Sequence, residues 1–289
     1  MVSMRKLTIQ KRIAILSSLV EGNSIRSTVR MTGAAKNTVL KLLRDIGQVC
    51  ERYHDQVMVD LPCRKIQVDE IWSFCYAKQK NVPPELQGQF GFGDVWTWVA
   101  IDAETKLVPS WLVGKRDADW AEMFMYDLSK RLRHRVQLTS DGHKSYLTAV
   151  EDAFGGDIDY ATLVKTYGTD KKEKEAEVRY SPRQIVGCQL AVIQGKPDPR
   201  YISTSYVERQ NLTMRMQMRR FTRLTNAFSK KVENLHYAVA LHFMHYNFCR
   251  IHKTLRVTPA MEAGISDHLW EIEDIVELLE KKEKKKLVG

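Results

Sequence analysis

The chain has 289 residues, of which 44% are hydrophobic and 28% charged, as in a folded soluble protein with a sizeable core. Its longest apolar run, Val95–Ile101, is too short to cross a bilayer, and the first residues lack the apolar core of a signal peptide. We therefore expect no membrane association. The five cysteines are scattered, without a C-x-x-C pair, which argues against a disulfide framework or zinc ribbon and favours the reducing cytoplasm.

The formal net charge of +10 is concentrated in two segments. Residues 1–50 carry nine Lys and Arg against two Asp and Glu, and residues 208–256 carry ten against two. The remainder of the chain is mildly acidic. Two basic segments around an acidic middle indicate a nucleic-acid-binding protein with a metal-binding centre.

Residues 1–50 predict three short helices. Apolar residues recur at helical spacing from Thr8 to Val20, Ser24 can cap a second helix, and Thr32-Gly33 makes a tight turn before the third. This order is typical of a helix-turn-helix DNA-binding domain, although any three-helix bundle looks similar, and the local charge favours DNA binding. The candidate DNA contacts at the start of the third helix are Lys36, Asn37, Thr38, Lys41 and Arg44.

After a predicted linker at 51–63, residues 64–264 alternate between strand and helix patterns. Strands are predicted at Lys65–Tyr76, Val95–Ile101, Leu107–Val113, Val136–Ser140 and Ile158–Val164, with helices from Ala118 to about Arg133 and over Tyr146–Phe154. Segment 166–203 is predicted to be an insertion, with a strand at Ile185–Ile193 and no assigned role. Helices are then predicted from Ser205, over Ser229–Cys249 and over Ser266–Glu283, the last within a C-terminal helix and basic tail at 265–289.

The order of these elements predicts an α/β fold, a ribonuclease-H-like mixed sheet flanked by helices. Strands 1 and 4 are neighbours in that arrangement, which brings Asp69 and Asp141 together, and the later helix lays Glu208 across them. Three converging carboxylates repel each other unless cations neutralise them, and hard oxygen ligands suit two Mg²⁺ ions, for which Mn²⁺ can substitute. Asp69 alone would equally suit a surface ion pair. Glu70 ranks below it because strand alternation points Glu70 to the other face.

Four stretches carry a family resemblance. Val68-Asp-Glu-Ile-Trp72, Thr139-Ser-Asp-Gly-His143 with Tyr146, and Tyr206-Val-Glu-Arg-Gln-Asn211 resemble the three motifs of the DDE transposases of bacterial insertion sequences, above all the insertion-sequence-one family. The stretch from Tyr246-Asn247 through Arg250-Ile-His252 to Thr258-Pro259 resembles the tail motif that follows the catalytic Glu in such enzymes.

This resemblance implies a DNA transposase that cuts and joins strands, with Asp69, Asp141 and Glu208 as catalytic metal ligands. It also implies binding of double-stranded DNA (terminal inverted repeats and target), a homodimer or higher oligomer on DNA, and a place beside the nucleoid of a prokaryotic cytoplasm. Two departures stand out: the zinc finger of the founding members is absent, and the 67-position step from Asp141 to Glu208 is long.

Other residues are candidate DNA contacts near this centre. Phosphate contacts are predicted at Arg209, Asn211, Arg215 and Arg219, on or near the face of Glu208. His143 and Lys144 either contact the scissile phosphate or cap the following helix, and Arg250 and His252 either bind DNA or pin the helix end to the sheet. Two alternatives to a transposase stay open: a non-catalytic helix-turn-helix regulator, and a ribonuclease-H-like nuclease without joining activity.

Overall fold

The structure, a computed structural model, describes residues 7–168, 185–222 and 226–288. Its helices are α1 (Ile9–Val20), α2 (Ile25–Thr32), α3 (Lys36–Val57), α4 (Ala118–Arg131), α5 (Ser145–Phe154), α6 (Ser205–Gln217), α7 (Val232–Met244), α8 (Pro259–Glu262) and α9 (Ile272–Val288). Its strands are β1 (Lys65–Cys75), β2 (Gly93–Asp102), β3 (Ser110–Gly114), β4 (Val136–Ser140), β5 (Ile158–Tyr167) and β6 (Ile185–Gln194). A π-helical turn, His245–Cys249, extends α7. No helix in the described ranges is long and apolar enough to span a membrane.

The six strands form one mixed sheet in the order β3-β2-β1-β4-β5-β6. Strands β1, β2 and β3 pair antiparallel, β4 pairs parallel with both β1 and β5, and β6 closes the edge antiparallel to β5. The predicted mixed sheet flanked by helices is confirmed, and its first five strands are consistent with a ribonuclease-H-like arrangement.

Strand β6 belongs to this sheet. Eight of its ten residues pair with β5, so this part of the predicted insertion 166–203 extends the main sheet rather than standing apart from it. Edge pairing of this kind satisfies backbone groups that β5 would otherwise leave open. The charged run Lys171–Glu177 lies outside the described residues.

Helices cover both faces of the sheet. On β1, Ile66 and Val68 face the core under α4 and α5, whereas Ile71 and Cys75 face the core under α6 and α7. This alternation is the period of two expected of a strand buried on both faces.

The N-terminal helices form where they were predicted. Thr8 and Ser24 cap α1 and α2 by accepting hydrogen bonds from the backbone amides of Lys11 and Ser27, and Gly33 ends α2 with φ at 66°. At the start of α3, Lys36, Asn37, Lys41 and Arg44 are exposed and Thr38 is half-buried. DNA binding by these residues stays a prediction.

The predicted linker at 51–63 is largely helical, because α3 runs on to Val57. Val49, Tyr53 and Val57 continue its apolar stripe beyond residue 50, and they pack in the same core as β1 and β4. The rest of the predicted linker, after Val57, is attached to the end of α4 through Leu61, whose backbone amide donates to the carbonyl of Arg131. The N-terminal helices therefore share a core with the sheet.

Helices α3 and α7 pack closely at Gly47. A Cβ added at Gly47 would lie 2.4 Å from Cβ of Tyr237, well inside van der Waals contact. Glycine costs roughly 1 kcal/mol relative to alanine in a helix interior. The close packing of the two helices requires it here.

We predict that Gly47→Ala lowers the free energy of unfolding by about 1–3 kcal/mol, because the overpacking cost exceeds the gain in helix propensity. Urea denaturation measures it. The control is Gly156→Ala, since a Cβ there meets no atom within 4 Å. A Gly47→Ala variant more stable than the wild type would contradict this account of the interface.

Candidate functional site

Asp69 and Asp141 meet because β1 and β4 are parallel neighbours of unequal length. Gln67 pairs with Thr139 in the register, which puts Asp69 level with Asp141 just beyond the end of β4. One carboxylate oxygen from each of Asp69, Glu70 and Asp141 lies within 4.8 Å of the others. The structure therefore brings two of the three predicted ligands together, with Glu70 as an addition.

Glu70 joins this group although it points to the opposite face from Asp69, as alternation predicted. The edge of β1 is open at this level, since its pairing with β4 ends at Gln67, so side chains from both faces can reach Asp141. The Glu70 side chain is only 1% exposed, and its Oε2 accepts a hydrogen bond from Nε of Arg116 at 3.1 Å. In the sequence, only the position of Glu70 next to Asp69 indicated that Glu70 could belong to this cluster.

Glu208 lies outside that group of oxygens. On the first turn of α6, its Oε1 accepts a hydrogen bond from the hydroxyl of Thr204 at 2.7 Å and forms an ion pair with Lys165 of β5. Its charge nevertheless contributes to the raised pKa of Asp69, so it stands beside the cluster. The structure keeps this predicted ligand within electrostatic reach but pairs it with a lysine.

Two amide side chains fix α6 on the sheet. Oε1 of Gln67 on β1 accepts from the backbone amides of Tyr206 and Val207 at 2.8 and 3.2 Å, which satisfies open donors of the first helical turn. Nδ2 of Asn211 donates to Oδ2 of Asp69 at 2.8 Å. These contacts set the height at which α6 crosses β1.

Asn211 was predicted to contact phosphate, but the structure buries it to 7% exposure against the sheet. Val207 and Met214 lie on the same buried stripe at helical spacing, which explains why Asn211 turns inward. Arg209 and Arg219 are exposed and Arg215 is half-buried. Arg219 itself lies past the end of α6, in a 3₁₀ turn.

The crowding of acids shows in the pKa values. Burial, followed by the charges of Glu70 and Asp141, raises the pKa of Asp69 to about 7. Burial also raises the pKa of Glu70. Without a bound cation, the loss of a proton from Asp69 or Glu70 is therefore less favourable than in the unfolded chain.

The Glu70 carboxylate and the Tyr146 hydroxyl lie close enough to hydrogen-bond each other. Two other buried polar atoms around the cluster, Oδ1 of Asn211 and Nδ1 of His143, lack a hydrogen-bond partner among the described residues. Such an atom costs about 1–3 kcal/mol when left unsatisfied. A hydrated divalent cation would satisfy oxygen acceptors of this kind, so the residues present fit the predicted metal ions.

The residues after Asp141 orient it. The backbone amide of His143 donates to Oδ1 of Asp141 at 2.9 Å, and α5 begins two residues later. The His143 ring packs edge-on against Trp98 and Tyr146, and burial together with Arg116 lowers its pKa. Lys144 is exposed and makes no side-chain cap. Its ammonium therefore does not cap α5, and phosphate contact by Lys144 stays a prediction.

The tail motif pins the end of α7 to the loop between β2 and β3. The Asn247 amide accepts from the backbone amide of Val108 and donates to its carbonyl, both at 3.0 Å, and Tyr246 donates to the carbonyl of Lys106 at 3.0 Å. Arg250 and His252 follow this anchor and are half-buried. DNA contact by either residue stays a prediction.

No protein-family model and no curated protein matches the chain. Among solved structures, it is similar to the piggyBac transposase synaptic complex with hairpin DNA. The two share 10% sequence identity with a TM-score of 0.41, over 96% of this chain and 72% of the other. Likeness at this level carries no argument about function.

The raised pKa of Asp69 yields a stability prediction. Between about pH 4 and pH 7 the folded protein keeps a proton that the unfolded chain releases, so stability falls as pH rises through this window. In EDTA at pH 8, we expect the free energy of unfolding of Asp69→Asn to exceed that of the wild type by roughly 1–3 kcal/mol. The difference should vanish towards pH 4, and urea denaturation at both pH values measures it.

Asp102→Asn is the control, because Asp102 is a second aspartate in an interior strand of the sheet, fully buried at 1% exposure. Its carboxylate accepts hydrogen bonds from the amides of Arg64, Lys65 and Thr105 and from the Thr105 hydroxyl, so its loss should destabilise the protein. If Asp69→Asn behaved like Asp102→Asn at pH 8, charge repulsion at the cluster would be refuted.

Proposed function

We propose that the chain is a DDE-type DNA transposase that binds the ends of its element and catalyses strand cleavage and strand transfer. The observation that carries the proposal is the meeting of Asp69, within β1, and Asp141, just beyond the end of the adjacent parallel strand β4, with Glu208 on a helix that crosses β1. The chain's net charge of +10 suits a DNA substrate. The three motifs described above supply the family expectation.

The acids would hold the metal ions, two Mg²⁺ that Mn²⁺ can replace. When bound, such ions activate a water or a 3′-hydroxyl and stabilise the leaving oxygen of an in-line phosphoryl displacement. The protein's own part is orientation: Asn211 holds one oxygen of Asp69, and the amide of His143 holds one oxygen of Asp141. Gln67 fixes the helix that carries Glu208.

DNA would lie along the basic surfaces. Arg209, next to Glu208 in α6, and Arg219, past the end of α6, are exposed, and Lys36, Lys41 and Arg44 are exposed on α3. Each arginine or lysine that meets a phosphate makes affinity more salt-dependent. We further propose action as a homodimer or higher oligomer on DNA, close to the nucleoid of a prokaryotic cytoplasm, because joining two element ends requires that both be held.

The proposal predicts loss of cleavage without loss of binding. Asp69→Asn, Asp141→Asn and Glu208→Gln should each reduce Mn²⁺-dependent nicking of a plasmid carrying the gene with its flanking DNA by roughly two orders of magnitude or more. Gel analysis of nicked and linear products measures it, with mobility shift as the binding assay. Glu262→Gln, an exposed acid on α8, should cleave like the wild type.

The pairing of Glu208 with Lys165 makes Glu70 a rival for the third ligand. Full activity in Glu208→Gln together with loss of activity in Glu70→Gln would assign the third carboxylate to Glu70 and refute Glu208. Strand-transfer products distinguish a transposase from a nuclease that never joins strands. Absence of any nicking by the wild type, with binding retained, would favour the non-catalytic regulator.

A further inference from the structure

Arg116 occupies the acidic cluster from the side of α4. It lies between β3 and α4, and its Nε donates to Oε2 of Glu70 at 3.1 Å while Nη2 lies 3.9 Å from Oδ2 of Asp141. The guanidinium carbon stands 4.9 Å from the centre of the Trp96 ring. Sequence reasoning missed this residue, because its partners lie 46 and 25 positions away along the chain.

The excess of negative charge around the site explains why the guanidinium of Arg116 lies against these acids. Four carboxylates, those of Asp69, Glu70, Asp141 and Glu208, face two cations among the described residues that ion-pair with them: Arg116 and Lys165. Arg116 bridges two of the acids that a divalent cation in the cluster would bind. A metal ion and this guanidinium therefore compete for the same two carboxylates.

The two cations differ in their freedom to leave. The Lys165 side chain is 14% exposed, whereas that of Arg116 is 34% exposed and rests on the Trp96 ring. Stacking on an aromatic face stabilises a guanidinium without a carboxylate partner. Arg116 can thus release the acids and remain beside the cluster.

We propose that Arg116 is a phosphate-binding residue of this site, held by Glu70 and Asp141 until a divalent cation takes over those carboxylates. Released from them, its planar fork matches two oxygens of a DNA phosphodiester, the geometry that arginine recognises best. The proposal rests on the proposed function and adds an order of events: metal binding makes the site receptive to phosphate.

A purely structural Arg116–Glu70 ion pair makes a different prediction from this exchange. Breaking a structural pair would disorder the acids and weaken metal binding. Removing a competing cation instead strengthens metal binding and weakens the binding of DNA. The two measurements therefore move in opposite directions only if the proposal holds.

The experiment uses the full chain with Mn²⁺ and a labelled mixed-sequence 30-base-pair duplex as probes. Mn²⁺ affinity without DNA is read from the EPR signal of the free ion, and duplex affinity with and without Mn²⁺ from fluorescence anisotropy, with gels confirming intact duplex. For Arg116→Gln we expect roughly tenfold tighter Mn²⁺ binding and roughly tenfold weaker duplex binding in Mn²⁺. Arg133→Gln is the control, because it removes the same charge from a surface pair with Asp60.

Unchanged or weaker Mn²⁺ binding by Arg116→Gln, or unchanged duplex binding in Mn²⁺, would overturn the proposal. If Arg116→Gln fails to fold, Arg116→Lys keeps the charge without the fork and should bind Mn²⁺ like the wild type but the duplex several-fold more weakly. Equal duplex binding by Arg116→Lys and the wild type would then refute it. A wild-type protein that binds neither Mn²⁺ nor duplex would instead refute the proposed function.

Discussion

Repulsion among carboxylates crowded beside the end of β4, between the two central strands of the sheet, is the constraint on which the site depends. Burial and then the charges of Glu70 and Asp141 raise the pKa of Asp69 to about 7, and the fold surrounds these acids with Arg116, Asn211 and the amide of His143. A protein that kept such a cluster for stability alone would gain by replacing one acid with a neutral side chain. The ionised acids therefore carry a free-energy cost that a bound cation would offset, as expected of a functional site.

The unequal lengths of β1 and β4 create the gap in which these acids meet. β4 ends at Ser140 while β1 continues to Cys75, so beyond Gln67 the side chains of β1 are no longer separated into two faces by a neighbouring strand on that side. Asp141 follows the shorter strand directly into this gap. Helix α6 then closes one side of it, capped by Gln67 and tied to Asp69 through Asn211.

Much of this was predictable from sequence, because periodicity and strand adjacency are local properties. The bounds of β4 and the neighbourhood of Asp69 and Asp141 follow from short patterns and one topological rule. The role of Glu70 did not follow, because a period of two describes a strand paired on both sides. Gln67 and Arg116 act on partners far along the chain, which no local pattern encodes. The extension of α3 to Val57 was missed although its apolar stripe continues past residue 50.

The close packing of α3 on α7 at Gly47 has a geometric consequence for any DNA that the N-terminal helices hold. The N-terminal helices share a hydrophobic core with the sheet that carries Asp69 and Asp141. The exposed start of α3 is therefore not joined to these acids by a flexible linker. The protein would then hold the two DNA-contacting regions at a fixed distance from each other. The number of base pairs between a sequence read by α3 and a phosphate placed at the acids would be fixed by helix packing rather than by the reach of a flexible chain.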